Sequence, residues 1–169
     1  MSARHPAITH WSGIEDRDPG LFRGTEEPMS YGAPFGQHFG LKSLGIHHVR
    51  LTPGRRTSLP HAESREEEFV YVIAGQPDVW LDGLLHRLGP GDGVGFPAGT
   101  GLAHSFINNT TQDVALLVVG NADIAENRIV YPINLERKEW RQDWWEDAPE
   151  RKLGPHDGLS DQRRAAKAK

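Results

Sequence analysis

Two stretches of this chain decide its fold: PGRRTSLPHAESREEEFVYVIAG (residues 53–75) and GDGVGFPAGTGLAHSFIN (residues 91–108). In the first, His61 and Glu63 are two positions apart, so both side chains point to the same face of an extended chain. The second stretch brings His104 into another β-rich run. Two imidazoles and one carboxylate form the donor set of a facial metal triad, whose open coordination positions suit Fe(II), Mn(II) or Ni(II).

The acidic run before the first apolar strand contains one carboxylate that differs from its neighbours. Glu66 and Glu67 lie close to Arg65 and are expected to form a solvated turn. Glu68 opens the strand and shares a face with Val70. A carboxylate in register with core residues is costly unless it is paired or bound to a cation. Glu68 is therefore a candidate site residue.

Short β-rich runs separated by turn signals recur along the chain, and patterns of helical period are scarce. Asp82 and Gly83 indicate a tight hairpin, because a type I′ turn needs a positive φ at both central residues. Regularly spaced short strands of this kind predict an all-β barrel or sandwich. We expect strands over residues 45–51, 69–73, 78–81, 85–88, 93–96, 104–108, 114–119 and 128–133.

The two stretches resemble the two sequence motifs of the cupin superfamily. The places of the first motif are filled by Gly54, His61, Glu68 and Gly75. Those of the second are filled by Gly91, Pro97, Gly99, His104 and Asn108. The resemblance implies a double-stranded β-helix, the jelly-roll barrel of that family. It looks closest to a branch of mostly uncharacterised bacterial single-domain cupins, some of which have been proposed to be sugar-phosphate isomerases.

The resemblance also implies a metal site, with two departures from the family pattern. Glu63 occupies the place of the second family histidine, and the interval from Gly99 to His104 is two residues longer than usual. A carboxylate in place of an imidazole keeps a ligand but makes the site harder and more negative. The resemblance carries metal-ligand roles to His61, Glu68 and His104, and by inference to Glu63. The divalent ion expected there is Fe, Mn, Ni or Zn.

A small barrel has room for one small ligand at its mouth. The pocket walls are expected to come from His48, Tyr71, Trp80, Phe96 and Phe106. In one hypothesis, the metal holds a small oxygen-rich substrate, sugar-like or carboxylate-like, and the protein is an isomerase or an oxygenase. In the other, the same pocket binds its ligand without turnover. The sequence assigns no catalytic residue; a general base such as Tyr71 or His48 beside the metal would favour the enzyme.

The expected organisation is an N-terminal arm (residues 1–40), a barrel (residues 41–134) and a C-terminal segment (residues 135–169). The arm is expected to wrap the barrel or a partner subunit. A short helix is expected over residues 135–145, and residues 151–169 are expected to lack stable structure. Tryptophans in the C-terminal segment, together with the arm, predict a homodimer. They are Trp140, Trp144 and Trp145.

Composition narrows the remaining possibilities. The net charge of −4 gives no electrostatic footprint for nucleic acid. The longest apolar run, residues 114–119, is far too short to cross a bilayer, and residues 1–6 lead into no signal-peptide stretch. There are no cysteines, which excludes disulfides, thiolate nucleophiles and Cys-type zinc sites. We expect a cytoplasmic protein whose partner is a small molecule.

Overall fold

The computed structural model describes residues 4–122 and 124–168. Its strands are β1 (Tyr31–Pro34), β2 (Leu44–Leu51), β3 (Ala62–Glu63), β4 (Glu68–Ala74), β5 (Asp78–Leu81), β6 (Leu84–Arg87), β7 (Gly93–Phe96), β8 (His104–Ile107), β9 (Val114–Asn121) and β10 (Ile129–Val130). Its helices are short: α1 (Phe35–His38), α2 (Asp161–Lys167) and two 3₁₀ segments at Trp11–Gly13 and Leu135–Trp140.

The strands form three antiparallel sheets, which confirms the all-β jelly-roll barrel. The large sheet has the order β1-β2-β9-β4-β7, and a smaller one has the order β6-β5-β8. A two-stranded ribbon of β10 and β3 completes the structure. Alternate residues of the two larger sheets meet in one hydrophobic core, as expected for a sheet that buries one face. That core consists of Val49, Leu51, Val70, Val72, Val79, Phe96, Phe106, Val114 and Leu116.

The tight hairpin expected at Asp82 and Gly83 is present. Leu81 pairs with Leu84, and φ is +43° at Asp82 and +88° at Gly83. Positive φ at both residues is the requirement of a type I′ turn. Asp82 and Gly83 are therefore the two central residues of the turn that joins β5 to β6.

Two strands were not expected, and one is shorter than expected. β1 contains Gly32 and Pro34 and lies at the edge of the large sheet, where a residue without an N–H donor is tolerated. The two-residue strand β3 is too short to give a pattern. β10 ends at Val130 rather than near residue 133, because Pro132 cannot donate to a ladder.

The C-terminal segment covers the outer face of the small sheet and forms a second core. That core contains Ala62, Trp80, Ala103, Ile107 and Trp145. The helix expected over residues 135–145 ends at Trp140 as a 3₁₀ segment. The chain then runs alongside β10, with the N–H of Trp145 donating to the carbonyl of Ile129 at 2.9 Å. Trp145 is thus buried in its own chain, whereas Trp140 is 41% exposed.

The expectation that residues 151–169 lack structure was wrong for the part that the structure describes. The N–H of His156 donates to the carbonyl of Gly83 at 3.1 Å, and its carbonyl accepts the indole N–H of Trp80 at 2.8 Å. α2 follows, capped by the hydroxyl of Ser160. The tail is ordered because it supplies partners for buried groups of the barrel. Lys169 lies outside the described residues.

The N-terminal arm packs against its own barrel. Trp11 stacks on His48 of β2, with ring centroids 4.5 Å apart. Glu27 receives two hydrogen bonds from Arg56, at 2.8 and 2.7 Å, and both side chains are buried. The arm therefore has a role within one chain, and the homodimer stays a prediction. None of the described helices has the length and apolar character that a membrane crossing requires.

Candidate functional site

Backbone pairing places His61 and His104 side by side. The N–H of His104 donates to the carbonyl of His61 at 2.9 Å, and the reverse bond is 3.2 Å long. The two rings lie 5.0 Å apart between centroids and are tilted by 40°. His104 begins β8 and points inward with Phe106, its neighbour two positions on. His104 is therefore fixed by a strand of the barrel, and His61, in the connection between β2 and β3, is fixed by its backbone bridge to that strand.

The orientation of both imidazoles follows from their second nitrogen atoms. Nδ1 of His61 lies 2.9 Å from the carbonyl of Leu59, and Nδ1 of His104 lies 3.3 Å from the carbonyl of Leu102. A carbonyl only accepts hydrogen bonds, so each Nδ1 carries the proton. This leaves Nε2 as the coordinating atom of each ring, which is the arrangement that metal-ligating histidines usually adopt.

Glu68 lies opposite His104 inside the barrel. Its Oε1 atom is 3.2 Å from Nε2 of His104. Burial raises the pKa of the Glu68 carboxyl, but the hydrogen bond with His104 and the charges of both site histidines outweigh this and lower the pKa overall. Glu68 is therefore a carboxylate at neutral pH, and a positive charge is needed between it and the imidazole.

Neighbouring rings hold the two histidines. Phe96 stacks on His104 with centroids 3.5 Å apart, and Tyr131 lies 5.8 Å from His61. Burial lowers the pKa of His61 to about 4, and the adjacent His104 lowers it further. At neutral pH His61 is thus uncharged, which is the form that binds metals.

Glu63 lines the same small cavity but has other partners. Burial and the neighbouring carboxyl of Glu66 raise the pKa of Glu63 to about 8, while Asn127 opposes the rise. Burial also raises the pKa of Glu66, so the expectation of a solvated turn was wrong for this residue. The two carboxyls form a pair that can share a proton, and the role of Glu63 as a metal ligand stays a prediction.

The residue types at this site are those that bind divalent ions, but their side chains are not yet arranged as a complete ligand set. The enclosed cavity bounded by both histidines and by Glu63, Glu66 and Glu68 has a volume of about 10 Å³, which is room for one water-sized occupant. Two imidazole nitrogens and a carboxylate suit Fe, Mn, Ni or Zn. Among residues 4–122 and 124–168, no three acidic or histidine side chains already converge on one coordinating point. His104 and Glu68 form the pair that is in place, and a third donor has to turn toward it.

A larger cavity of about 140 Å³ continues inward from Glu68. His47, His61 and Glu68 give it a polar wall, and Val70 and Phe106 give it an apolar one. His47 was missed in the sequence, where His48 was expected in the pocket. His48 instead lies on the outer face of β2 beneath Trp11. The signal that was missed is the alternation of side chains along the strand. His47 is two and four positions from Val49 and Leu51, so it shares their face of β2.

Two other expected pocket residues lie elsewhere. Tyr71 is 40% exposed because it alternates with the inward residues Val70 and Val72. Trp80 is fully buried, but in the second core, on the opposite face of β5 from Val79. Of the expected wall residues, Phe96 lines the small cavity and Phe106 lines the larger one.

Comparisons with known proteins agree with this architecture. Residues 47–120 match the family model described as a cupin domain. A solved structure described as a sugar phosphate isomerase from a cupin superfamily, from Silicibacter pomeroyi DSS-3, is 34% identical, with a TM-score of 0.57 over 60% of this chain and 64% of that chain. Another, from Acidithiobacillus ferrooxidans ATCC 23270 and proposed to be a sugar phosphate isomerase, is 32% identical, with a TM-score of 0.57 over 61% of this chain and 65% of that one.

The match spans less than two thirds of either of those chains. A polyketide cyclase from Streptomyces resistomycificus shares the fold at 20% identity, with a TM-score of 0.57 over 85% of this chain and 96% of that chain. No curated protein matches the sequence significantly.

Proposed function

We propose, from the match of residues 47–120 to the cupin-domain model, that the protein holds one divalent metal ion at His104, Glu68 and His61 and binds a small oxygen-rich molecule there. One observation carries the proposal. Nε2 of His104 lies 3.2 Å from Oε1 of Glu68, while Nδ1 of the same ring donates a hydrogen bond to the carbonyl of Leu102. Two lone pairs in this position require a cation between them, either a proton or a metal ion.

The surrounding residues supply binding and orientation. A bound ion would act as a Lewis acid toward oxygen atoms of the ligand. Phe96 holds the His104 ring in place and closes the small cavity. His47 and Ser58 line the adjacent cavity and offer hydrogen-bonding groups to hydroxyl or carbonyl oxygens of the ligand. Val70 and Phe106 form the apolar wall of that cavity.

The reaction proposed for this site is an isomerisation of a sugar-like substrate. Two solved structures at 32–34% identity are described as sugar phosphate isomerases, although the match covers less than two thirds of their chains. The protonated carboxyl pair of Glu63 and Glu66 beside the donors provides a group that could donate a proton to a ligand oxygen. The alternative is a binding protein, for which the same pocket would hold its ligand without turnover.

Metal analysis of protein purified without a histidine tag tests the metal site. The wild type should contain about one equivalent of a divalent ion after reloading and dialysis, and His104→Ala should contain almost none. His86→Ala is the matched control, because His86 is an exposed strand histidine in β6 that lines neither of the two cavities. Equal metal content in all three proteins would contradict the proposal.

Exchange of carbon-bound hydrogen distinguishes the two functions. The metal-loaded protein is incubated in D₂O with a panel of aldoses and ketoses, and ¹H NMR follows both interconversion and deuterium incorporation. An isomerase that moves a proton through a carboxyl should incorporate solvent deuterium next to the carbonyl. Saturable binding without interconversion would favour the binding protein.

A further inference from the structure

The outer face of the large sheet is covered by the rest of the chain on one side only. On the side of β1 and β2, Trp11 of the arm stacks on His48. Glu15 of the arm also receives two hydrogen bonds from Arg50, each 2.9 Å long. On the side of β9, β4 and β7, the outward residues alternate with those of the core. We call the following six residues the open face: Phe69, Tyr71, Gly93, Gly95, Leu117 and Val119.

Strand pairing arranges the open face in two rows. Phe69 is paired with Val119 on one side and with Gly95 on the other, and Tyr71 occupies the centre of the next row. Residues paired in this way are neighbours on the same face of a sheet. None of the six residues is charged, whereas an antiparallel sheet that faces water usually carries polar side chains on that face. The open face therefore has the composition of a covered surface.

The uncovered apolar area is that of a protein interface. Phe69 and Tyr71 are 45% and 40% exposed, and Leu44 and Ile73 beside them are exposed to a similar extent. An aromatic side chain buries about 150–250 Å² when it is covered, so these four residues expose roughly 300 Å² of apolar surface. A standard dimer interface buries about 800 Å² on each partner, and its apolar core is one part of that area. The open face and its neighbours can form such a core.

The shape of the open face favours a second copy of this chain. A concavity of about 380 Å³ is lined by Gly95, Phe69, Val119 and Leu44. A Cβ atom added at Gly95 would meet no atom within 4 Å, so this part of the concavity is open. Tyr71 is exposed beside the concavity and does not line it. A projecting side chain and a hollow on one surface are self-complementary, because a two-fold rotation brings each of them opposite the other.

We propose that the open face is the interface of a two-fold homodimer, in which Tyr71 of each copy packs into the concavity over Gly95 of the other. Burial of the apolar side chains of two sheet faces drives the association. This interface differs from the arm and the C-terminal tryptophans, from which the sequence predicted a dimer. Trp11 and Trp145 pack within their own chain, so neither segment is needed to join two copies.

Analytical ultracentrifugation of the full chain tests whether the dimer exists. The wild type should sediment as a dimer at about 50 μM, since interfaces of standard size have micromolar or tighter dissociation constants. Because the open face is uncharged, the dimer should persist at about 1 M NaCl, where surface charges are screened. A monomer at about 50 μM would overturn the proposal and leave the open face to a different partner. Dissociation by salt would overturn it as well, because charged groups would then hold the copies together.

Three variants test whether the open face is the interface. Gly95→Gln fills the concavity without meeting its own chain near Cβ, so urea unfolding should show no loss of stability while the dimer dissociates at least tenfold more readily. Tyr71→Ser should weaken the dimer to a similar extent. Leu84→Ser is the matched control, because Leu84 is an exposed strand residue of β6, outside the open face. Wild-type dimerisation of Gly95→Gln, or equal weakening by the two serine variants, would contradict the assignment.

A distance measurement tests the interface without removing any residue of the open face. The chain has no cysteine, so one introduced cysteine carries a single spin label. Glu67→Cys places the label at the exposed rim of the concavity. Because packed sheets lie about 10 Å apart, the two labels of a dimer should be less than about 30 Å apart by pulsed electron paramagnetic resonance. Leu84→Cys should give a longer distance. A shorter distance for Leu84→Cys than for Glu67→Cys would show that another surface joins the copies.

Discussion

Glu68 and His104 are 36 positions apart in the chain, yet Oε1 of the first lies 3.2 Å from Nε2 of the second. The pairing arises because β4 of the large sheet and β8 of the small sheet both turn these residues inward. Phe96 of β7 pairs with Glu68 in the sheet, and its ring stacks on the His104 ring. Phe96 therefore contacts both members of the pair. The Glu68 carboxylate is thereby held against the His104 imidazole and lines both the small cavity and the larger one.

Replacing the carboxylate tests this pair directly. Glu68→Gln keeps the shape of the side chain but removes the charge that attracts a cation, so metal affinity should fall by at least tenfold. Competition with a chromogenic chelator measures the affinity. Unfolding of the metal-free protein in urea should show a loss of about 1–2 kcal/mol at most, because the Glu68 side chain is 29% exposed.

The matched control for this variant is Glu67→Gln. Glu67 is the neighbouring carboxylate and is exposed. Its replacement should leave both the metal affinity and the free energy of unfolding unchanged within error. A similar loss of metal affinity in both variants would show that general negative charge, and not coordination by Glu68, attracts the ion.

Glu63→His should bind Zn²⁺ or Ni²⁺ at least as tightly as the wild type. The substitution places an imidazole where the family motif has its second histidine, and it ends the proton sharing with Glu66. Metal titrations at constant pH give the two affinities. Binding that is tenfold weaker than that of the wild type would show that position 63 cannot turn toward the donors.

Much of the barrel was predictable because its strands follow a local alternation. The residues of β4 show this, since Glu68, Val70 and Val72 face inward as their spacing requires. The same rule, applied strictly, places Tyr71 outside. The same alternation places His47 on the face of β2 that carries Val49 and Leu51, where it lines the larger cavity although it is exposed.

Other features depend on parts of the chain that are distant in sequence. Trp80 and Val79 are both buried, because the C-terminal segment covers the outer face of β5, so alternation cannot tell the two faces apart. The partners of Glu63 are likewise non-local, since Asn127 comes from a loop 64 positions further along the chain. No spacing rule within the motif reports such partners, so the geometry around Glu63 could not be predicted from the motif.

Glu27→Ala should destabilise the protein by about 3–5 kcal/mol, which is usual when one partner of a buried ion pair is removed. Arg56 would lose both carboxylate bonds and keep only the carbonyl of Gly158, at 2.7 Å, while its charge stays buried. Urea unfolding measures the loss. Lys138→Ala is the control, because its exposed pair with Glu146 should contribute less than about 1 kcal/mol. Similar losses in both variants would show that the Arg56–Glu27 pair does not hold the N-terminal arm on the barrel.

Protonation of His48 should destabilise the protein as the pH is lowered from about 7.5 to about 5.5, while the raised pKa of Glu63 acts in the opposite direction. Burial under Trp11 lowers the pKa of His48, Arg50 and His10 lower it further, and Glu15 opposes the effect. The unfolded chain therefore takes up a proton more readily than the folded one. The stabilisation is complete above the unfolded pKa of about 6.5 and is lost as the pH falls toward the lower folded value.

His48→Phe removes the titrating group and keeps a ring against Trp11. The variant should be more stable than the wild type at low pH, because Nδ1 of His48 is buried without a hydrogen-bond partner among the described residues. Between the two pH values its free energy of unfolding should fall less, or rise more, than that of the wild type, because the group at position 48 no longer titrates. His86→Phe, which replaces an exposed imidazole, should retain the full wild-type dependence. Urea unfolding of the metal-free proteins at both pH values gives the comparison, and parallel curves for the wild type and His48→Phe would contradict the prediction.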